Sequence, residues 1–172
     1  MVNISKSGGR LMVRAGIAKD ARYLCPMLNE IIGRGGTTAM ETPLSETEFT
    51  RYFLLGPDVF ACHVAEDPTS GEPVGFQALT RHPELPEGWA DIATFTHQRP
   101  RLPGVGTGMF AVTRSILRKL GLVAVNAAIR ADNRGGLAYY EKMGFETYRT
   151  LPAIPLQNGT PVDRILKRYD VV

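Results

Sequence analysis

The stretch from Arg101 to Gly108, which reads Arg-Leu-Pro-Gly-Val-Gly-Thr-Gly, constrains this chain more than any other. Three glycines at alternate positions, Gly104, Gly106 and Gly108, allow positive φ angles and let backbone N–H groups converge on one point. A strand-like segment, 89–96, precedes the loop, and apolar residues at helical spacing follow it. The unpaired N–H groups and the positive end of a helix dipole both favour phosphate, so the sequence predicts an anion site between strand and helix.

The spacing separates three kinds of phosphate loop. A Walker loop ends in Gly-Lys-Ser/Thr, and here Met109 follows Gly108, so this class is excluded. A dinucleotide fingerprint needs a third glycine at a spacing that this loop lacks, which disfavours a nicotinamide-dependent oxidoreductase. The remaining pattern, Arg/Gln-x-x-Gly-x-Gly/Ala, is satisfied by Arg101, Gly104 and Gly106. It resembles the coenzyme A loop of the Gcn5-related N-acetyltransferases (GNAT).

A second segment, 133–145, supports the same resemblance. It reads Asn-Arg-Gly-Gly-Leu-Ala-Tyr-Tyr-Glu-Lys-Met-Gly-Phe and is similar to the family pattern N-x-x-A-x-x-x-Y-E-K-x-G-F, with the alanine displaced. As structure alone, this is a helix capped by Asn133 and ended by Gly144. The two ordered motifs together identify the chain as a GNAT member, most like the phosphinothricin and methionine sulfoximine N-acetyltransferases.

Composition is consistent with one soluble globular domain over residues 1–172, with 1–9 expected to be disordered. The net charge of +3, from 20 basic and 17 acidic side chains, is too small to indicate a nucleic-acid partner. Cys25 and Cys62 show no metal-ligand spacing and are expected to be reduced and buried. No stretch of signal-peptide or membrane-spanning length stands out. We therefore expect a cytoplasmic protein with no membrane partner.

Hydrophobic periodicity predicts an α/β domain of order βααβββαβαββ. Asp20 is expected to cap the first helix and Pro26 to kink or restart it, and Ser45 with Glu48 forms a capping box for the second. The resemblance implies the acyl-CoA N-acyltransferase fold, a mixed and mostly antiparallel sheet flanked by about four helices. The expected strands are 11–17, 59–65, 74–80, 89–96, 123–129, 145–151 and 161–169. The expected helices are 20–32, 45–54, one that follows Gly108 and runs to Leu120, and one starting at 133.

The resemblance implies acetyl-CoA as co-substrate and no metal. It places the pyrophosphate against the loop, with Asn133 at the start of the following helix, and pairs the pantetheine arm with the edge of the central strand. The N–H groups of that edge are also the implied oxyanion donors. The chain departs from the family at Leu102 and Pro103, which remove one N–H and one charge. The cofactor-binding residues expected on this basis are Thr94, Phe95, Thr96, Arg101, Leu102, Pro103, Gly104, Val105, Gly106, Thr107, Gly108 and Asn133.

Two residues are expected to be catalytic. Tyr140 matches the family tyrosine near the thioester sulfur, where a phenol can protonate the leaving thiolate; Tyr139 is expected to point elsewhere. Asp91 shares strand parity with Phe95 and occupies the position of the subgroup's glutamate base, although a shorter side chain implies a relay through water. His97 is close by but is not expected to take part.

The implied activity is acetyl transfer to a primary amine of a small molecule, such as an amino acid or an analogue, by direct attack. A protein or peptide N-terminus is the alternative acceptor, and a non-catalytic acyl-CoA-binding regulator is the alternative class. Thr37, Thr38 and Glu41 are expected to contact the acceptor, or else to form a solvent loop. The family resemblance also implies a homodimer.

Overall fold

The computed structural model describes residues 2–4, 11–98 and 101–172. Most of the segment 1–9, expected to be disordered, lies outside these residues; its described part, Val2–Ile4, forms a strand. In the described residues the chain forms eight strands, β1 (Val2–Ile4), β2 (Leu11–Ala15), β3 (Val59–Glu66), β4 (Pro73–Thr80), β5 (Trp89–Thr96), β6 (Ala124–Arg130), β7 (Glu146–Pro155) and β8 (Pro161–Asp170). It also forms four α-helices, α1 (Ala21–Arg34), α2 (Glu46–Phe49), α3 (Val105–Ile116) and α4 (Arg134–Lys142). A 3-10 helix, Ala18–Asp20, precedes α1, and α2 continues as a π-helix over Thr50–Leu54, to the end of the predicted second helix.

The strands form one sheet in the order β1-β2-β3-β4-β5-β6-β8-β7. Among the pairs in the described residues, β5 and β6 run parallel and the rest run antiparallel. This confirms the predicted mixed, mostly antiparallel sheet with four helices.

The parallel pair is short. β5 and β6 pair only from Trp89 to Asp91, opposite Ala124 to Asn126. β5 stays paired with β4 as far as Thr96, while β6 stays paired with β8 as far as Arg130. The two central strands therefore separate after Asp91, and the sheet is open at its centre.

The helices cover both faces of the sheet. α1 and α2 pack on one face with Phe76 and Phe95. α3 and α4 pack on the other face, where Phe110 and Tyr140 join the odd-numbered residues of β6. Since side chains alternate along a strand, Asp91 faces the α1 side and Thr94 faces the α4 side.

Local signals explain most element boundaries. The Ser45 hydroxyl accepts from the Glu48 N–H, and the Glu48 carboxylate accepts from the Ser45 N–H, which confirms the predicted capping box. Asn133 Oδ1 accepts from the Gly136 N–H and caps α4 as predicted. The predicted restart at Pro26 was wrong, because α1 continues through it to Arg34.

Four differences concern strand and helix ends. β2 ends at Ala15, earlier than predicted, because the Ile17 N–H donates to the Asp20 carboxylate at 2.9 Å and starts a turn. That bond and an ion pair with Arg14 engage Asp20, so its carboxylate does not cap α1. α3 begins at Val105, inside the predicted loop, because Gly104 starts the helix with its positive φ, and it ends at Ile116 rather than Leu120. β7 extends to Pro155 through two register shifts. Strand β1 was missed because three residues carry no readable period.

Candidate active site

A cleft of about 840 Å³ occupies the gap between β5 and β6. Residues 91–96 line one wall and residues 128–130 line the other. On the α1 side the cleft is bounded by residues 37–40, and on the opposite side by the start of α3 and by α4. The cleft therefore reaches both faces of the sheet. A substrate on one face can meet a substrate on the other across the separated strands.

The glycine loop forms the α3 end of this cleft. Gly104 caps α3 with φ +84°, a backbone conformation that a residue with a Cβ rarely adopts. The first helical bond runs from the Gly108 N–H to the Gly104 carbonyl, at 2.8 Å, so the N–H groups of residues 105–107 precede the helical ladder. Leu102 packs against the buried residues beneath the loop. These N–H groups, with no acidic side chain in the first turn, are suited to bind an anion.

Two cationic side chains, Arg101 in the loop and Lys142 at the end of α4, are exposed and line the cleft. A pyrophosphate at the loop is favoured by the helix dipole and by the charge of Arg101. The residues present fit the phosphate end of acetyl-CoA. Each loop residue from Arg101 to Thr107 lines the cleft, whereas Gly108 is buried behind it.

The open edge of β5 provides backbone groups along the cleft. The His97 N–H donates to the Val74 carbonyl of β4 at 2.8 Å. Hydrogen-bonded positions alternate in an antiparallel pair, so the peptide groups of Phe95 also point to β4. The peptide groups of Thr94 and Thr96 point to the cleft. The expectation that the Phe95 N–H serves as an oxyanion donor is therefore wrong, and its side chain packs on Phe76 instead.

Tyr140 lies against this edge. Its side chain is 7% exposed, and its hydroxyl lies within hydrogen-bond distance, 3.0 Å, of Thr94 Oγ1. Burial strongly raises the pKa of Tyr140, and the nearby Tyr139 and Asp91 raise it further. The hydroxyl therefore stays protonated over the whole working pH range, which a proton donor requires.

Tyr139 is the first site residue that the sequence interpretation missed. Its ring packs edge-on against Tyr140, with the ring centroids 4.9 Å apart. Its hydroxyl donates to the Gly106 carbonyl at 2.8 Å and accepts from Gln77 Nε2 at 3.1 Å. Burial raises the pKa of Tyr139 to about 12. The prediction that it points away from the site was wrong, because both rings reach the cleft.

Gln77 is the second missed residue. It is a fully buried amide among apolar neighbours on β4, and its Nε2 also donates to Thr94 Oγ1 at 2.9 Å. A lone amide in the apolar run from Val74 to Leu79 was the available signal, because a buried polar side chain requires partners.

Asp91 lies at the point where the strands separate. Asn126 Nδ2 donates to Asp91 Oδ1 at 2.7 Å, and the Tyr148 hydroxyl donates to Asn126 Oδ1 at 2.7 Å. Tyr148 thereby turns the Asn126 amide nitrogen towards the carboxylate. Burial raises the pKa of Asp91, while the Asn126 N–H and the positive field of His82 act against that increase. A carboxylate held in this way, on the face opposite Tyr140, can accept a proton.

The segment after α1 closes the α1 side of the cleft. Asn133 Nδ2 donates to the Thr37 carbonyl at 2.8 Å, and Arg130 Nη1 donates to the Thr38 carbonyl at 3.3 Å. Thr37 and Thr38 line the cleft. Glu41, expected to contact the acceptor, accepts the backbone N–H of Gln157 instead. Asn133 also lines the cleft, but its amide is engaged by the cap of α4 and by this segment.

The remaining candidates lie away from the chemistry. His63 is buried against Thr113, with Nδ1 and Oγ1 2.8 Å apart, and burial lowers its pKa. Cys25 and Cys62 are free and buried, and burial raises the pKa of Cys62 to about 12. A thiol with so high a pKa is a poor nucleophile. This favours direct attack over a cysteine-bound acetyl group.

Residues 28–145 match the model of the acetyltransferase (GNAT) family. The chain belongs to this family. The match covers more than half of the chain and includes both motifs, which confirms the family predicted from them. The protein is an acetyl-CoA-dependent N-acetyltransferase.

Several relatives carry phosphinothricin acetyltransferase names. The chain is 23% identical, over 89% of its length and 90% of the relative's, to "Putative phosphinothricin acetyltransferase YwnH" of Bacillus subtilis (strain 168). A phosphinothricin acetyltransferase from Sinorhizobium meliloti, solved with AcCoA, superposes with a TM-score of 0.78 at 20% identity, over 93% of this chain and 88% of that one.

A ribosomal-protein-alanine N-acetyltransferase from Brucella melitensis has the same fold. It superposes with a TM-score of 0.78 at 18% identity, over 92% of this chain and 99% of that one. Within the described residues, no group of three or more His, Cys, Asp or Glu side chains could hold a metal ion. None of the helices there is both long and apolar enough to cross a membrane.

Proposed function

We propose that this acetyltransferase transfers the acetyl group of acetyl-CoA to the primary amine of a small molecule, an amino acid or a close analogue. The observation that carries the proposal is the placement of Asp91 and Tyr140 on opposite faces of the opening between β5 and β6. The amine approaches from the α1 side, past Thr38 and Asp91. The cofactor arm lies along the α4 side, past Gly106 and Tyr140.

Each side of the opening supplies one proton-transfer group. The ionised Asp91 carboxylate accepts a proton from the incoming ammonium group, directly or through one water. The cleft-facing N–H groups of Thr94 and Thr96 stabilise negative charge on the carbonyl oxygen. A hydroxyl group on the Tyr140 side of the opening donates a proton to the departing sulfur. Protonation lets the sulfur leave as a neutral thiol and not as a free thiolate.

The phosphinothricin names of the relatives support a small acceptor, as does the closure of the α1 side by the segment that Asn133 and Arg130 hold. The Brucella melitensis relative favours the second candidate, a protein N-terminus. The cytoplasmic location and the homodimer stay predictions, which fractionation and sedimentation would test.

The experiment that tests the proposed function is thiol release from acetyl-CoA across amino acids, phosphinothricin, methionine sulfoximine, polyamines and short peptides. We expect turnover with an amino acid or an analogue, and little with the peptides. Turnover confined to peptides would favour the second candidate. Acetyl-CoA binding without turnover of any acceptor would contradict the proposed function and favour the non-catalytic regulator.

Asp91→Asn is expected to lower kcat/KM for the amine by about 10²-fold at neutral pH, within the range that a positioned acid or base contributes. Raising the pH is expected to restore part of the loss, because the amine is then already neutral. In the wild-type enzyme the rate falls as pH falls, because Asp91 becomes protonated, and its raised pKa moves that fall to a higher pH than for an exposed aspartate.

Steady-state rates between pH 6 and pH 10 measure this effect. Asp58→Asn is the matched control, since it removes the charge of an exposed carboxylate and is expected to leave the profile unchanged. If the Asp91→Asn profile overlays that of the wild type, Asp91 is not the base.

A further inference from the structure

We propose that Gln77 is a positioning residue that orients the hydroxyl groups of Thr94 and Tyr140, so that one of their protons is directed into the cleft. This inference rests on the proposed acetyl transfer and adds to it the way in which the proton donor is prepared. Gln77 itself is fully buried and acts through Thr94.

The orientation starts at a group that can only accept. The Gly106 carbonyl has no proton to give, so the Tyr139 hydroxyl, 2.8 Å away, must donate its proton there. The Tyr139 oxygen then accepts from its other neighbour, Gln77, at 3.1 Å. The Gln77 atom that faces Tyr139 is therefore the amide nitrogen and not the amide oxygen. The backbone of the cofactor loop thus fixes the Gln77 amide.

The amide nitrogen carries a second N–H, and it donates to Thr94 Oγ1 at 2.9 Å. The Thr94 and Tyr140 hydroxyls are 3.0 Å apart and together carry two protons. One proton forms the bond between them. Gln77 presents a donor to Thr94 and cannot accept the other. The second proton is left for the cleft, which both residues line.

The amide orientation leaves one polar atom unsatisfied. Gln77 Oε1 is buried and has no hydrogen-bond partner among the described residues. Rotating the amide by 180° would let this oxygen accept a proton from Thr94, but it would break the donation to Tyr139. An unsatisfied buried acceptor costs stability. If position 77 served only packing, an apolar side chain like those of the adjacent Phe76 and Ala78 would avoid this cost.

The chemical step balances with this proton. The C–N bond forms as the C–S bond breaks; the ammonium proton goes to Asp91 or to water before attack, and the second proton that the nitrogen loses goes to solvent as the amide forms. The departing sulfur takes the directed proton from the Thr94–Tyr140 pair, and a proton from solvent restores the pair. If Thr94 donates to Tyr140 within the pair, the Tyr140 hydroxyl gives its proton to the sulfur. If Tyr140 donates to Thr94, the Thr94 hydroxyl gives its proton to the sulfur. Loss of Gln77 frees Thr94 Oγ1 to turn, so the pair no longer directs a proton at the sulfur.

The test uses Gln77→Met, which keeps the volume and removes both N–H donors. We expect kcat to fall by about tenfold to a hundredfold, with the Kd of acetyl-CoA changed by less than about threefold. Gln77→Met is also made in Thr94→Val, and there we expect no further loss, because Gln77 acts through the Thr94 hydroxyl. A merely structural role would lower kcat by the same factor in both backgrounds.

Gln77→Glu reverses the hydrogen-bond direction without changing the shape. The ionised carboxylate of Glu accepts the hydroxyl proton of Thr94, and the Tyr140 hydroxyl then donates its proton to Thr94. No hydroxyl proton of the pair is then directed into the cleft. Burial raises the pKa of such a carboxylate, and its protonated form can donate again. We therefore expect kcat of Gln77→Glu to fall as pH rises. The wild-type rate rises with pH, because the amine is deprotonated.

Thr113→Val is the matched control, because it removes a buried hydrogen bond, that to His63, away from the donor pair. It is expected to lower the Tm and leave kcat unchanged. Two results would overturn this inference alone, provided that the wild type turns over an acceptor. The first is that Gln77→Met keeps the wild-type kcat. The second is that Gln77→Met lowers kcat by the same factor in the wild-type background and in Thr94→Val. If the folded wild type, with acetyl-CoA bound, turns over no acceptor, the proposed function is overturned with it.

Discussion

Gly106→Asp is expected to abolish acetyl-CoA binding, with the Kd raised by at least about a hundredfold. The substitution places a negative charge among the N–H groups at the start of α3, and like charges brought together cost several kcal/mol. It also adds a Cβ 2.8 Å from Cε2 of the Tyr139 ring, so that ring has to shift. Isothermal titration calorimetry with acetyl-CoA measures the effect directly.

Two variants separate the causes. Gly106→Ala has the same Cβ without the charge, so we expect an intermediate affinity from the displaced Tyr139 ring alone. Gly33→Asp adds the same charge where an added Cβ meets nothing within 4 Å, and it is expected to bind acetyl-CoA like the wild type. An unchanged affinity in folded Gly106→Asp would show that this loop does not hold the pyrophosphate.

Tyr140→Phe is expected to lower kcat by about 10²-fold or more while leaving the KM for acetyl-CoA within about threefold of the wild type. The substitution removes one oxygen from a buried ring, so packing is preserved while the donor pair loses a member. A fall in kcat and kcat/KM by the same factor is the signature of a contact made only in the transition state. Initial rates over a range of acetyl-CoA concentrations separate the two parameters.

Tyr169→Phe is the matched control, because its ring belongs to the same aromatic cluster through Phe145. It is expected to keep full activity. If Tyr140→Phe retains the wild-type kcat, the sulfur takes its proton from another group, and Thr94 becomes the residue to substitute next.

The sequence alone predicted the features that depend on neighbours in the chain. The capping box at Ser45 and the Asn133 cap are short-range patterns, and both form where they were predicted. The glycine loop opens a helix as predicted, but that helix begins at Val105, inside the predicted loop. The strand and helix order also followed from local periodicity, apart from the three-residue β1. The spacing of the two motifs was enough to predict the family.

The cleft and its proton network were decided by the tertiary structure, because their contacts join residues far apart in sequence. Gln77 and Tyr139 are 62 positions apart, and Asp91 and Asn126 are 35 apart. Strand periodicity shows which face a side chain occupies but not where two strands separate. That point, after Asp91, depends on β5 staying with β4 while β6 stays with β8. The sequence thus determined the elements and the phosphate loop, while packing decided which hydroxyl, amide and carboxylate groups meet.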